Sequence, residues 1–258
     1  MKHLFKIKNF QILMKSNLIY SLLLIMFFLI TSCKDNDDEA SPDDGNVQVK
    51  ISHVSGEEPF KLNETYTNAH GNDFSITRLK YFISNIGFVK GGDTTFVPKP
   101  YAYHLATVSG TEHEFSFSMH EIAEGQYDHI VFSIGVDRSA NHDISRNEGD
   151  LDPGGSDGMI WDWDTGYKFL VLEGEYINND ETDYFVFHVG HNENYKRYSL
   201  QKSINIQNGE VTNITLKADI QQLFTSPNTI NLEETNTAHG SNAKVIAENY
   251  ENDFIQLP

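Results

Sequence analysis

The chain has 258 residues, room for one large all-β domain or two small ones, and a formal net charge of −18. So acidic a surface repels nucleic acid and anionic lipid, which sets nucleic-acid binding aside. Cys33 is the only cysteine, so the chain cannot close an internal disulfide.

The first 32 residues carry the three parts of a secretory signal. Lys2, Lys6, Lys8 and Lys15 supply positive charge, and Leu18 to Ile30 is an apolar run, long enough for a signal core and short for a membrane span. A start at Met14 would keep all of these features. The run closes on Ile30-Thr31-Ser32-Cys33, which resembles the bacterial lipobox. Cleavage before Cys33 and acylation of its thiol would hold the protein on a membrane, since nothing later in the chain is apolar for long enough to cross one.

Lys34 to Gly45 is acidic and almost free of apolar side chains, so it cannot bury enough surface to fold. The sequence therefore divides into a signal peptide over 1–32, an acidic disordered tether over 33–45 and a domain over 46–258. Lys34-Asp35 with acids behind it resembles an export tag of surface lipoproteins. The expected location is the outer membrane, on its periplasmic or cell-surface face.

From Val47 onward, strand text dominates. Val47 to Ile51 alternates at period two, as do Phe115, Phe117 and Met119 among polar neighbours. Tyr127 to Val136 is a β-rich run opened by Glu124-Gly125. Tyr167 to Leu172 is apolar on both faces, the pattern of a central strand. Tyr184 to Val189 follows, then a late strand with Thr212, Ile214, Leu216, Ala218 and Ile220 on one face. Gly91-Gly92-Asp93 and Asn178-Asn179-Asp180 read as hairpin turns. Ala243 to Phe254 spaces Ile246, Ala247, Tyr250 and Phe254 as a short amphipathic helix. Many short strands and one helix predict an all-β fold, an antiparallel β-sandwich with a short C-terminal helix.

No enzyme motif stands out. The chain has no Gly-x-Ser-x-Gly elbow, no phosphate-cradling Gly-x-x-x-x-Gly-Lys loop and no His-Glu-x-x-His, so a non-enzymatic role is expected. Asp137, Asn141, Asp143, Asp150, Asp152 and Asp157 crowd one loop, and hard oxygen ligands of that kind suit calcium, although the spacing is not that of an EF-hand. Ten of the eleven histidines follow the leader, and imidazole suits copper, zinc, iron or nickel. His188 lies in the apolar run Tyr184 to Gly190, where a core hydrogen-bonding role competes with metal ligation. Trp161 and Trp163, the only tryptophans, stand two apart and would share a face on a strand.

Met159-Ile160-Trp161-Asp162-Trp163-Asp164-Thr165-Gly166-Tyr167-Lys168-Phe169, followed by Leu172-Glu173-Gly174, resembles the signature of the MbnP-like copper-binding domain family. Tyr66 to Asn72, Leu79 to Ile86, Gly135-Val136-Asp137 before Leu151-Asp152-Pro153, Phe187-His188-Val189-Gly190 and Ile246 to Tyr250 extend the likeness in order over about residues 47 to 254. The resemblance implies a β-sandwich outside the cytoplasm that binds copper. It also implies a partner, a di-haem enzyme of the peroxidase type that oxidises a tryptophan to kynurenine. Trp161 or Trp163 would be the modified residue. His188 and His53 would be copper ligands, with His104 a third candidate. The chain departs from a methionine-rich copper site, since only Met119 and Met159 follow the leader. A metal-free surface module that holds a glycan or a protein is the alternative reading.

Overall fold

A computed structural model describes residues 44–258, apart from Pro100, Thr111, Ser156, Asp157 and 163–165. The signal peptide, Cys33 and nearly all of the tether lie outside the described residues, as do Asp157 and Trp163. The first strands are β1 (Asp44–Ser55), β2 (Glu58–Pro59), β3 (Tyr66–Thr67), β4 (Asp73–Lys90), β5 (Asp93–Phe96), β6 (Tyr103–Val108), β7 (Glu114–Ala123) and β8 (Gly125–Ile134). After the short helix α1 (Arg138–His142) come β9 (Lys168–Asn178), β10 (Glu181–Gly190), β11 (Lys196–Ile206) and β12 (Val211–Asp219). Helix α2 (Gln222–Thr225), β13 (Thr237–His239), α3 (Lys244–Glu251) and β14 (Ile255–Gln256) finish the chain.

The strands form two sheets. One runs β14-β12-β1-β2, with β7 also paired to β1; the other runs β11-β8-β4-β9-β10-β13, with β3, β5 and β6 paired to β4. The expected sandwich is present, and α3 is the expected C-terminal helix. Most pairings are antiparallel, but β1 lies parallel to β12 and β10 parallel to β13. The turns behave as their sequences predict. Gly91 and Gly92, and likewise Asn179 and Asp180, take positive φ, the conformation whose twist matches that of paired strands.

Period-two patterning builds the core between the sheets. Val47, Val49 and Ile51 of β1 face Leu79, Tyr81 and Ile83 of β4, Leu170 and Leu172 of β9, and Phe185, Phe187 and Val189 of β10. Each such side chain contributes roughly 2 kcal/mol when fully buried.

A second apolar cluster covers the other face of the larger sheet: Phe82, Val136, Ala140, Leu151, Met159, Tyr167, Phe169 and Val171. It explains why Tyr167 to Leu172 is apolar on both faces apart from Lys168, because the sandwich covers one face of β9 and the segment from Val136 to Tyr167 covers the other. That outer layer holds the candidate site against the sheet.

Candidate metal centre

β10 sorts its side chains by parity. Phe185, Phe187 and Val189 enter the core, so His188 points out of the sandwich and is only partly exposed. β13 joins β10 in parallel, and the register sets His188 opposite His239. Ala238 is buried beneath, which turns His239 to the same outer face. The two imidazoles lie 5.1 Å apart, ring centre to ring centre.

Glu173 on β9 fixes the first of them. Its Oε1 is 2.6 Å from His188 Nε2 and 3.4 Å from an Arg78 guanidinium nitrogen. A carboxylate can only accept, so Nε2 carries the proton and Nδ1 keeps a lone pair. Burial pushes the His188 pKa down, the Glu173 hydrogen bond offsets part of that, and the net shift is downward. The ring is therefore neutral near pH 7, the form that ligates a metal. A carboxylate behind a histidine is a common support for a metal ligand.

Trp161 covers the site. An isolated bridge between Ile160 and Tyr167 and a 3.3 Å bond from Trp161 N to Gly166 O place it where the outer loop closes, so it stands beside a bridge and not in the continuous strand expected from sequence. The indole is 4% exposed. Its ring centres lie 6.2 Å from His188 and 6.1 Å from His191. A Cβ at Gly190 would come within 2.7 Å of Trp161 Cζ2 and 2.8 Å of Nε1, so the indole rests on bare backbone. Lys168 Nζ stands 5.4 Å from the indole centre while donating to Gly158 O. His191, with φ of 69°, opens the 3₁₀ turn Asn192–Asn194 in a conformation uncommon for a non-glycine residue.

The other expected ligands stand elsewhere. His53 shares the inner face of β1 with Val47, Val49 and Ile51 and is 1% exposed. Its Nε2 bonds Tyr81 OH at 2.8 Å and its Nδ1 bonds His113 O at 2.9 Å. It faces the interior of the sandwich while His188 faces outward, so the two do not converge. His104 on β6 stacks on Phe117 with centres 3.9 Å apart and bonds Tyr101 O. Burial also lowers its pKa, partly offset by Asp150 and that carbonyl bond.

The loop expected to suit calcium uses its polar groups locally. Asp137 caps α1, Asp143 caps the 3₁₀ turn Ile144–Arg146, Asp150 accepts from Leu105 N, and Asp152 accepts from Gly154 N. Asn141 accepts from Tyr167 N. Among the described residues no group of three or more His, Cys, Asp or Glu is arranged to hold a metal ion. What the site offers is a pair of imidazoles, one of them oriented by a carboxylate, beside a buried indole. Imidazoles of that kind suit copper, zinc, iron or nickel.

Sequence reasoning did not single out His239, His191, Glu173 or Lys168. Two signals bore on the histidines alone. His191 follows His188 by three residues, and Ala-His-Gly at 69–71 recurs at 238–240. Neither shows that β13 lies parallel to β10.

A sequence profile described as MbnP matches residues 44–244. Among solved structures, MbnP from Methylosinus trichosporium matches with a TM-score of 0.50 at 13% identity, covering 77% of this chain and 82% of that one. Identity at that level bears on the fold alone. No curated protein sequence matches the chain.

Proposed function

Because the chain belongs to the MbnP family, we propose that it is an extracytoplasmic, membrane-anchored lipoprotein that binds copper through His188 and His239. The observation that carries this reading is the imidazole pair 5.1 Å apart on the outer sheet face, beside Trp161. His239 is exposed and His188 half-buried, so an ion could enter from solvent and meet a ligand already oriented by Glu173. Bound copper would supply a redox-active, electron-accepting centre. The residues around it orient an imidazole, exclude water on one side with the indole, and place the Lys168 ammonium over that indole.

Trp161 is the tryptophan we assign to oxidation by a di-haem peroxidase-type partner. It sits against His188 and His191, and this chain carries no oxidant of its own. The partner would use peroxide to cleave the indole C2–C3 bond, and hydrolysis would release C2 as formate, leaving a kynurenine whose ketone and aromatic amine could add ligands. The leader and Cys33 support anchoring on the outer membrane through a lipid, with the acidic stretch from Lys34 to the start of β1 at Asp44 as the tether.

Mass spectrometry of the protein from its producing cells, with copper analysis, tests these points together. The reading expects an acylated chain beginning at Cys33, a kynurenine at Trp161 and one copper per chain. The double variant His188→Ala/His239→Ala should keep its circular dichroism and lose the copper. Unchanged copper stoichiometry in that variant rejects the site. An intact Trp161 in copper-loaded protein rejects the modification, and a processed protein without lipid rejects the anchor.

A further inference from the structure

A concavity lies on the larger sheet, lined by residues other than the histidine pair. It holds about 370 Å³ and is lined by Asn85, Phe96, Ser133, Asp137, Tyr195 and Arg197. Small-molecule sites run from roughly 300 to 1,000 Å³.

Its backbone is shaped at a cost. Asn85 adopts φ of 48° where the β4–β8 register slips between Ser84 and Gly87. A left-handed residue at a bulge is the kind of strain that structures keep at functional positions. The twisted amide then spans the pocket, with Asn85 Nδ2 donating to Tyr195 OH at 2.7 Å and to Asp137 Oδ2 at 3.3 Å.

The pocket keeps three groups able to donate to an anion: the Ser133 and Tyr195 hydroxyls and the Arg197 guanidinium. Asp137 does not act as an acceptor for a ligand, because Tyr103 OH, Asn85 Nδ2, Ser139 N, Ser139 Oγ and Ala140 N already fill its oxygens. Tyr195 OH receives Asn85, and among the described residues nothing accepts its proton. Ser133 Oγ makes no hydrogen bond among them either.

Arg197 supplies the charge. Its guanidinium stands 5.5 Å from the ring centre of the exposed Phe96 and pairs with no acid among the described residues. In a chain with 37 acidic and 19 basic residues, a cation left without an acid at the rim of a pocket is conspicuous. The Phe96 ring holds it in place by a cation–π contact and is itself free to flank an apolar surface.

We propose that this pocket binds a small organic carboxylate carrying a ring with an apolar face, its carboxylate on Arg197, Tyr195 and Ser133 and its ring beside Phe96. Aromatic acids and sugar acids share that chemistry. The inference does not depend on the copper reading.

Saturation-transfer NMR on the intact protein, with benzoate, benzamide and D-glucuronate as probes, tests it. Ligands this small should bind with dissociation constants of about 1 mM. Benzoate or glucuronate should saturate in that range, and whichever does so identifies an aromatic or a sugar acid. Benzamide, which has the ring without the charge, should bind at least tenfold more weakly than benzoate. Arg197→Gln should weaken acid binding tenfold or more and Phe96→Ala should weaken it too, with the fold intact because both side chains are exposed. Three results would overturn the proposal: neither acid saturating by roughly 10 mM, benzamide matching benzoate, or Arg197→Gln binding as well as the parent.

Discussion

His188 and Glu173, on neighbouring antiparallel strands, are joined by a 2.6 Å contact between Nε2 and Oε1. It decides which nitrogen of His188 faces the candidate site. Glu173→Gln keeps an oxygen acceptor of the same reach and removes the charge. We expect copper affinity to fall about 10–100-fold, the usual loss when such a support is altered, with thermal stability little changed. Competition with a chelator of known affinity measures it. An unaltered affinity would show that Glu173 does not support a ligand.

His53 gives a test of stability against pH. Burial lowers its pKa to about 4 from an ordinary 6.5, while the carbonyl of His113 pulls the other way. Between those values the unfolded chain binds the proton and the folded chain does not. This contribution to stability is complete above pH 6.5 and is lost as pH falls towards 4. The loss amounts to about 3 kcal/mol. Urea unfolding from pH 7 to 4.5 should show a steeper fall for the wild type than for His53→Phe. The variant should start about 1–3 kcal/mol less stable, because Tyr81 OH loses its partner, and should still bind copper. Parallel pH profiles would contradict the account.

Gly190 tests the seat of Trp161. An alanine there would put its Cβ 2.8 Å from Tyr167 O as well as against the indole. The ring must move or the strand must shift, so Gly190→Ala should cost about 1–3 kcal/mol. The buried indole should move towards water, shifting its fluorescence to the red, and copper binding should weaken. An unchanged spectrum with full copper binding would mean that the indole is not part of the site.

Much of the fold was legible because each strand is its own record. The alternation in β1 and β12, the doubly apolar β9 and the Asn-Asp turn before β10 follow from local pattern and burial. β4 was less legible. Its 18 residues carry a bulge at Ser84 to Gly87 that shifts the alternation, so no single period runs through it. The site was legible only in part. His188 and the Trp161 motif stood out in the sequence, but His239 is brought in by a three-residue strand far along the chain, whose pairing no local pattern specifies. His53 was implied only by the resemblance; its parity with Val47, Val49 and Ile51 places it on the inner face of β1, away from His188.

The most direct test of the central claim is an anomalous difference map at the copper absorption edge, from crystals of the copper-loaded protein. The account predicts one strong peak at ligand distance from both His188 and His239, beside residue 161. A peak at His53 or His104, in the Asp137–Asp152 loop, or at no histidine at all would contradict it.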